Sequence, residues 1–203
     1  VGFLDSILGR SKPKQADLDA LFQVPSAVIS LQARLGLVPT GDGAVFTDCT
    51  FVDCTFNVAR FTDAGFLNCS FTGCAFFQAE FTACKFTGSR FQRCTFDLMS
   101  VDGGDWSFVL LPGADLARAT LAGTRMREAD LTGVRAAGAT LRGLDLSAAE
   151  LSGVDLSGAD LRGSDLSALD PRDAELAGAQ IDVTQAVVLV TTLGLRVGPD
   201  APE

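Results

Sequence analysis

At 203 residues the chain has room for one domain with an appendage. It is 47% hydrophobic and 20% charged, the composition of a folded protein. The formal charge of −9 argues against direct nucleic-acid binding, because phosphates call for a basic face. There is no histidine, which excludes a histidine general base, histidine-activated nucleophiles and histidine metal sites. No catalytic, cofactor-binding or metal-binding residues are expected. No stretch approaches the ~18 apolar residues of a membrane helix, and no secretion signal is read at the start. The expectation is a cytoplasmic protein with no membrane contact, its six cysteines present as thiols.

Residues 1–43 stand apart as an N-terminal helical segment. Phe3, Leu4, Ile7 and Leu8 suggest a short amphipathic turn. Residues 17–22 and 26–35 read as two helices separated by Pro25, with Gly36 as the stop. Val28, Leu31 and Leu35 form an apolar face that needs a partner, and the first coil of the next segment is the nearest one. The stretch is similar to the start of an actinobacterial phage-shock-associated protein.

From Phe46 onward every fifth residue is apolar. Phe46, Phe51, Phe56 and Phe61 open the register, Phe96 closes its phenylalanine part, and leucine dominates from Leu111 to Leu166. It ends at Ile181 after 28 positions without insertion or deletion; only Ala136 and Pro171 lack a large apolar side chain. Neither a helix nor an ordinary strand has period five. The residue two before each centre is small or apolar throughout, and all six cysteines fall there: Cys49, Cys54, Cys69, Cys74, Cys84 and Cys94. The residue two after is often glycine, as at Gly153 and Gly158.

Runs such as Ala114-Asp115-Leu116, Ala129-Asp130-Leu131 and Ala159-Asp160-Leu161 resemble the pentapeptide-repeat family. The resemblance covers residues 44–181. It implies an all-β solenoid, a right-handed quadrilateral β-helix of about seven coils, with four repeats to a coil. Centres and the residues two before them then point inward, and the filled interior leaves no room for a substrate. Residues twenty apart lie one coil apart, so Cys49 falls over Cys69, and Cys54 over Cys74 and Cys94. Buried, these cysteines are expected to behave as small apolar residues. Phe77, Leu98 and Val58 point outward near one corner.

The charge is uneven. Residues 44–100 carry −1 and residues 101–181 carry −6. Acidic residues recur just before the centres, at Asp115, Asp130, Asp145, Glu150, Asp155, Asp160, Asp165, Asp170 and Glu175. These nine are the candidate partner-binding ladder. Such carboxylates serve either solubility and backbone turns or imitation of a phosphate backbone.

Residues 182–203 read as a C-terminal helix and tail. Asp182 is a candidate N-cap and Gly194 a stop. Val183, Ala186, Val187, Val190 and Leu193 form an apolar stripe that Val188 and Leu189 widen. One end of a coil covers only part of such a helix, so a second copy is expected on the remainder, with Val187, Leu189, Val190, Leu193, Leu195 and Val197 at the dimer interface. The run Ile181-Asp182-Val183-Thr184-Gln185-Ala186, with Gly194-Leu195 after the helix, is similar to the C-terminus of the quinolone-resistance branch of the pentapeptide-repeat family. That resemblance implies a homodimeric, DNA-like acidic rod that binds DNA gyrase or another type II topoisomerase. The alternative is a solenoid scaffold with no topoisomerase role.

Overall fold

The computed structural model describes residues 28–29 and 42–198. The apolar centres of the strands are buried, and most of the residues flanking them are exposed or half-buried. The regular segments are β1 (Val28–Ile29), β2 (Val45–Thr47), β3 (Thr50–Val52), β4 (Arg60–Thr62), β5 (Gly65–Leu67), β6 (Ser70–Thr72), β7 (Glu80–Thr82), β8 (Arg90–Gln92), β9 (Ser100–Asp102), β10 (Thr120–Ala122) and β11 (Thr140–Arg142). A single helix, α1 (Val183–Thr192), follows the last coil among the described residues. Pairing is parallel, with register offsets of twenty residues, as in Phe51↔Phe71 and Phe71↔Phe91. The sheets run β1-β3-β6-β8, β4-β7-β9-β10-β11 and β2-β5. Regular strand pairing therefore spans about five turns, against the about seven that the repeat register counts. The remaining steps are single-residue bridges, such as Thr140↔Asp160 and Asp160↔Gln180.

The recurring glycine has a conformational cause. The residue two after a centre turns the corner with positive φ, a region that costs an ordinary residue roughly 1–2 kcal/mol. Val58 and Phe108 adopt it at φ 59 despite their bulk. Gly104 is a different case, lying two before a centre with φ +85. A Cβ there would collide with the Cys84 carbonyl oxygen.

Inside, the phenylalanines form columns. Phe51, Phe71 and Phe91 stack at 4.7 Å with ring planes 4° and 7° apart. Within a coil, neighbours meet edge to face, as Phe46 and Phe51 do at 5.5 Å and 76°. Trp106 continues one column beneath Phe86 at 4.3 Å, its indole N–H buried without a hydrogen-bond partner. Below it the columns are aliphatic, and the leucines enclose a wholly apolar void of about 30 Å³. Five cysteines are buried in the same core, and Cys94 is half-buried against it.

The two ends depart from the sequence reading. Val28 and Ile29, expected within a helix over 26–35, form a strand paired with Thr50 and Phe51. The edge of a first coil presents unpaired backbone groups, and a β-branched dipeptide satisfies them better as strand than as helix. The rest of that expected helix and the one over 17–22 lie outside the described residues, as does the turn at Phe3 to Leu8. At the other end Pro171 has no N–H to give the ladder. There Gly153 N–H donates to the Asp173 carbonyl (2.9 Å), whereas the Gly133 N–H one coil earlier reaches the residue nineteen on, Ser152 (2.8 Å).

Candidate interaction surface

The acidic residues before the centres have a local task. A carboxylate there accepts a hydrogen bond from the backbone N–H two residues on, closing an Asx-type turn. Asp115, Asp130, Asp145, Asp155, Asp160, Asp165 and Asp170 do this at 2.9–3.3 Å, and Glu150 does the same to Ser152. Of the nine ladder residues, eight therefore hold their own turns. In Asp115, Asp145 and Asp160 an arginine takes the second carboxylate oxygen.

The ladder is not continuous. On one face the order down the coils is Asp105, Arg125, Asp145; on another it is Asp115, Arg135, Asp155. Arg125 pairs with Asp105 at 3.0 Å and Arg135 with Asp115 at 3.3 Å. Arg127 binds Asp145 at 2.6 Å, and Arg172 approaches Asp170 at 3.5 Å. Arg162 grips both oxygens of Asp160 at 2.8 and 2.7 Å and holds that carboxyl down at about 2. The Ser147 hydroxyl, helped by Arg127, holds Asp145 below the usual carboxylate range. Of the nine ladder residues, Asp130, Glu150, Asp155, Asp165 and Glu175 have no ion pair among the described residues. Asp130 bridges to Glu150 and Asp155 to Glu175, as the twenty-residue arithmetic implies; the bridge does not extend from Glu150 to Asp170. The interruption was legible in principle, because Arg125 and Arg135 stand twenty residues after Asp105 and Asp115.

Helix α1 begins at a capping box: the Asp182 side chain accepts from Gln185 N–H (2.9 Å) and the Gln185 side chain accepts from Asp182 N–H (2.8 Å). It ends in a Schellman turn, with Gly194 N–H bonded to Thr191 and Leu195 N–H to Val190. Gln185, 4% exposed, also donates to the carbonyls of Leu161 (2.6 Å) and Ser164 (2.7 Å), fastening the helix to the coil end. Sequence reasoning missed it, although Asp182-x-x-Gln185 is itself the capping-box signature. Leu189, expected at the dimer interface, turns into the coil and is 8% exposed. Val190 is half-buried. The free face holds Val187, Leu193, Leu195 and Val197, joined by Val183 at 81% exposure. Phe77, Leu98 and Val58 are exposed, as the register implied.

Among the described residues no cluster of cysteine, aspartate and glutamate is placed to hold a metal ion. None of their helices is long and apolar enough to cross a membrane.

Residues 44–121 match the family described as pentapeptide repeat region, and residues 129–167 match pentapeptide repeats in eight copies. Residues 1–62 match PspA associated protein B. No curated protein matches the chain. Among solved structures, the trypsin-treated form of QnrB1, a plasmid-mediated fluoroquinolone resistance protein, is 20% identical, with a TM-score of 0.61 over 84% of this chain and 97% of that one. HetL, a pentapeptide repeat protein involved in heterocyst differentiation regulation from the cyanobacterium Nostoc, is 21% identical over 77% of this chain and 84% of its own, with a TM-score of 0.40. Five-residue register, stacked phenylalanine and leucine columns and twenty-residue parallel bridges coincide with the matched segments, so the chain belongs to the pentapeptide-repeat family.

Proposed function

We propose that the protein is a non-enzymatic, cytoplasmic docking rod that binds DNA gyrase, or a related type II topoisomerase, in place of DNA and alters its activity or its sensitivity to quinolone-type poisons. One observation carries this reading. The ladder carboxylates without an ion pair, Asp130, Glu150, Asp155, Asp165 and Glu175, lie in the coils nearest the exposed apolar face of α1. Two-fold pairing through Val183, Val187, Leu193, Leu195 and Val197 would join two acidic halves into one acidic middle of a rod roughly 70 Å long. A basic DNA-binding groove is the complementary surface. The resemblance of the C-terminal run to the quinolone-resistance branch supports gyrase as its owner.

The test has two steps. Val187→Asp with Leu193→Asp should give a monomer by light scattering, and that monomer should bind gyrase far more weakly than the wild type. Wild-type binding should fall steeply with salt, and DNA should compete for it. A dimer without affinity for gyrase at low salt, and without effect on supercoiling, overturns the reading.

A second reading rests on the match of residues 1–62 to PspA associated protein B. That match runs through the first coil, and β1 is hydrogen-bonded onto β3. The N-terminal segment would then bring a partner to a solenoid acting as scaffold. It takes over if gyrase is not bound.

A further inference from the structure

The ladder between coils is interrupted on one face. Above, Thr55↔Ala75 and Ala75↔Thr95 are bridged; below, Asp115↔Arg135 and Arg135↔Asp155 are bridged. Thr95 and Asp115, the pair between them, are not. Elsewhere on this face the N–H of a centre donates to the residue nineteen on, as Phe76 does to Thr95 (2.9 Å) and Leu116 to Arg135 (2.7 Å). Phe96 forms no such bond to Asp115. A cleft of about 550 Å³ opens here, with Arg93, Cys94, Asp97, Pro112, Asp115 and Arg118 in its walls. It coincides with the change from phenylalanine to leucine centres, Phe96 lying over Leu116.

The cleft has a chemical consequence, because it uncovers one end of a cysteine column. Cys54, Cys74 and Cys94 occupy equivalent positions on successive coils, and Thr95 N–H to the Cys74 carbonyl (3.0 Å) keeps the lower two in register. Cys74 is buried and Cys94 is half-buried, on the cleft wall. Adjacent strands lie ~4.8 Å apart, inside the range of Cα separations a disulfide tolerates. The segment carrying Cys94 has no ladder partner on its cleft side, so it can make the small adjustment a disulfide needs.

We infer that Cys94 and Cys74 form a peroxide-reactive dithiol, in which a hydroperoxide entering the cleft oxidises Cys94 and Cys74 resolves the product as a disulfide. The Cys94 thiolate attacks one peroxide oxygen, the O–O bond breaks, and the departing hydroxide or alkoxide takes up a proton. This leaves Cys94 as the sulfenic acid. The Cys74 sulfur then attacks the Cys94 sulfur; the S–S bond forms, the S–O bond breaks, and the hydroxyl leaves as water with the Cys74 proton. Two thiols are oxidised by two electrons and one peroxide is reduced.

The stack divides the roles. The Cys74 thiol beside Cys94 holds the Cys94 thiol below its ordinary value, against the desolvation that raises it. For Cys74, the Cys54 thiol lowers its value, but Cys94 and burial outweigh this and push it up to about 11. The thiol held below its ordinary value is therefore the one on the cleft wall, the side from which a peroxide approaches. The walls add three arginines, Arg93, Arg118 and Arg135, against two aspartates. Cys49 and Cys69 provide an internal control: they stack in the same way, but both are buried, and burial pushes Cys69 up to about 12.

The experiment treats the intact, reduced protein with hydrogen peroxide, alkylates the remaining thiols and maps them by mass spectrometry. The expected product is a Cys74–Cys94 disulfide, formed on the order of tenfold or more faster than any oxidation of Cys49, Cys69 or Cys84. Cys74→Ser should leave Cys94 trapped as a dimedone adduct. Serine is tolerated at this type of position, since Ser89 occupies one and donates to the Phe66 carbonyl at 2.7 Å. Equal oxidation of all the cysteines, oxidation only under denaturing conditions, or a Cys94 adduct without a Cys74–Cys94 disulfide in the wild type overturns the inference.

Discussion

The upper and lower coils solve one packing problem with different side chains. From Phe46 to Phe96 the interior is a set of ring columns, with stacked neighbours 4.6–5.6 Å apart. That spacing is near the rise between strands, so each flat ring repeats at the distance the backbone imposes. From Leu111 to Leu166 the centres are aliphatic, mostly leucine, and cannot stack as plates. There, larger residues enter the positions two before the centre, Val134, Leu144, Val154 and Leu169 among them, where the upper coils hold mainly cysteine and alanine. Compensation is nearly complete, leaving a void of about 30 Å³. The surfaces differ as well: the upper coils are close to neutral, and the lower ones carry the acids and most of the arginine pairs. Aromatic packing and surface charge are thus concentrated in different halves of the solenoid.

The largest expected effect tests the ring columns. Phe71 is fully buried and stacks on both Phe51 and Phe91. Phe71→Ala should cost about 3–5 kcal/mol in urea denaturation, and Leu161→Ala in the lower half about 2–5, with the phenylalanine change the more damaging. A cost below about 1 kcal/mol for Phe71→Ala would place that ring outside the core.

A smaller effect concerns hydrogen bonding in the lower core. The Ser164 hydroxyl accepts from Leu144 N–H (2.9 Å) and donates to the Leu141 carbonyl (2.8 Å). Ser164→Ala orphans both and should cost about 1–3 kcal/mol, read from the urea midpoint. A change within error would show that the backbone groups find other partners.

The smallest effect near neutral pH, and one that grows with acid, should appear mainly in the lower half. Hydrogen bonds and arginines hold Asp145, Asp155, Asp160 and Asp182 below the ordinary carboxylate range. A depressed folded-state value stabilises above the unfolded value, ~3.9, and that stabilisation is lost as pH falls toward the folded one, about 2 for Asp160. Amide exchange at pH 2.5 should accelerate in residues 130–182 before residues 46–96. Uniform acceleration along the rod would contradict the division.

Much of this was legible beforehand. The five-residue register, read from Phe46 to Ile181 without a break, placed the inward positions and the cysteine stacks, and an aspartate ahead of an apolar stripe marked the helix cap at Asp182. A solenoid is quasi-one-dimensional, so each repeat answers mainly to the residue twenty away, and that neighbour is countable from sequence. The candidate surface was only half legible. Asp130, Glu150, Asp155, Asp165 and Glu175 could be placed, and backbone turns were one of the two readings, yet which carboxylates an arginine takes, such as Asp145 and Asp160, depends on side-chain geometry that composition does not carry.

The tertiary structure alone decided the features at ends and seams. Leu189 and Val187 are equally apolar in sequence; docking of Gln185 on the Leu161 and Ser164 carbonyls rotates one inward and leaves the other out. Val28 and Ile29 became strand because an open coil edge offered hydrogen bonds. The cleft beside Cys94 arises where a phenylalanine-filled coil meets a leucine-filled one. A periodic sequence determines what each repeat does with an identical neighbour; where the neighbour changes or is missing, backbone hydrogen bonding and packing across the junction decide.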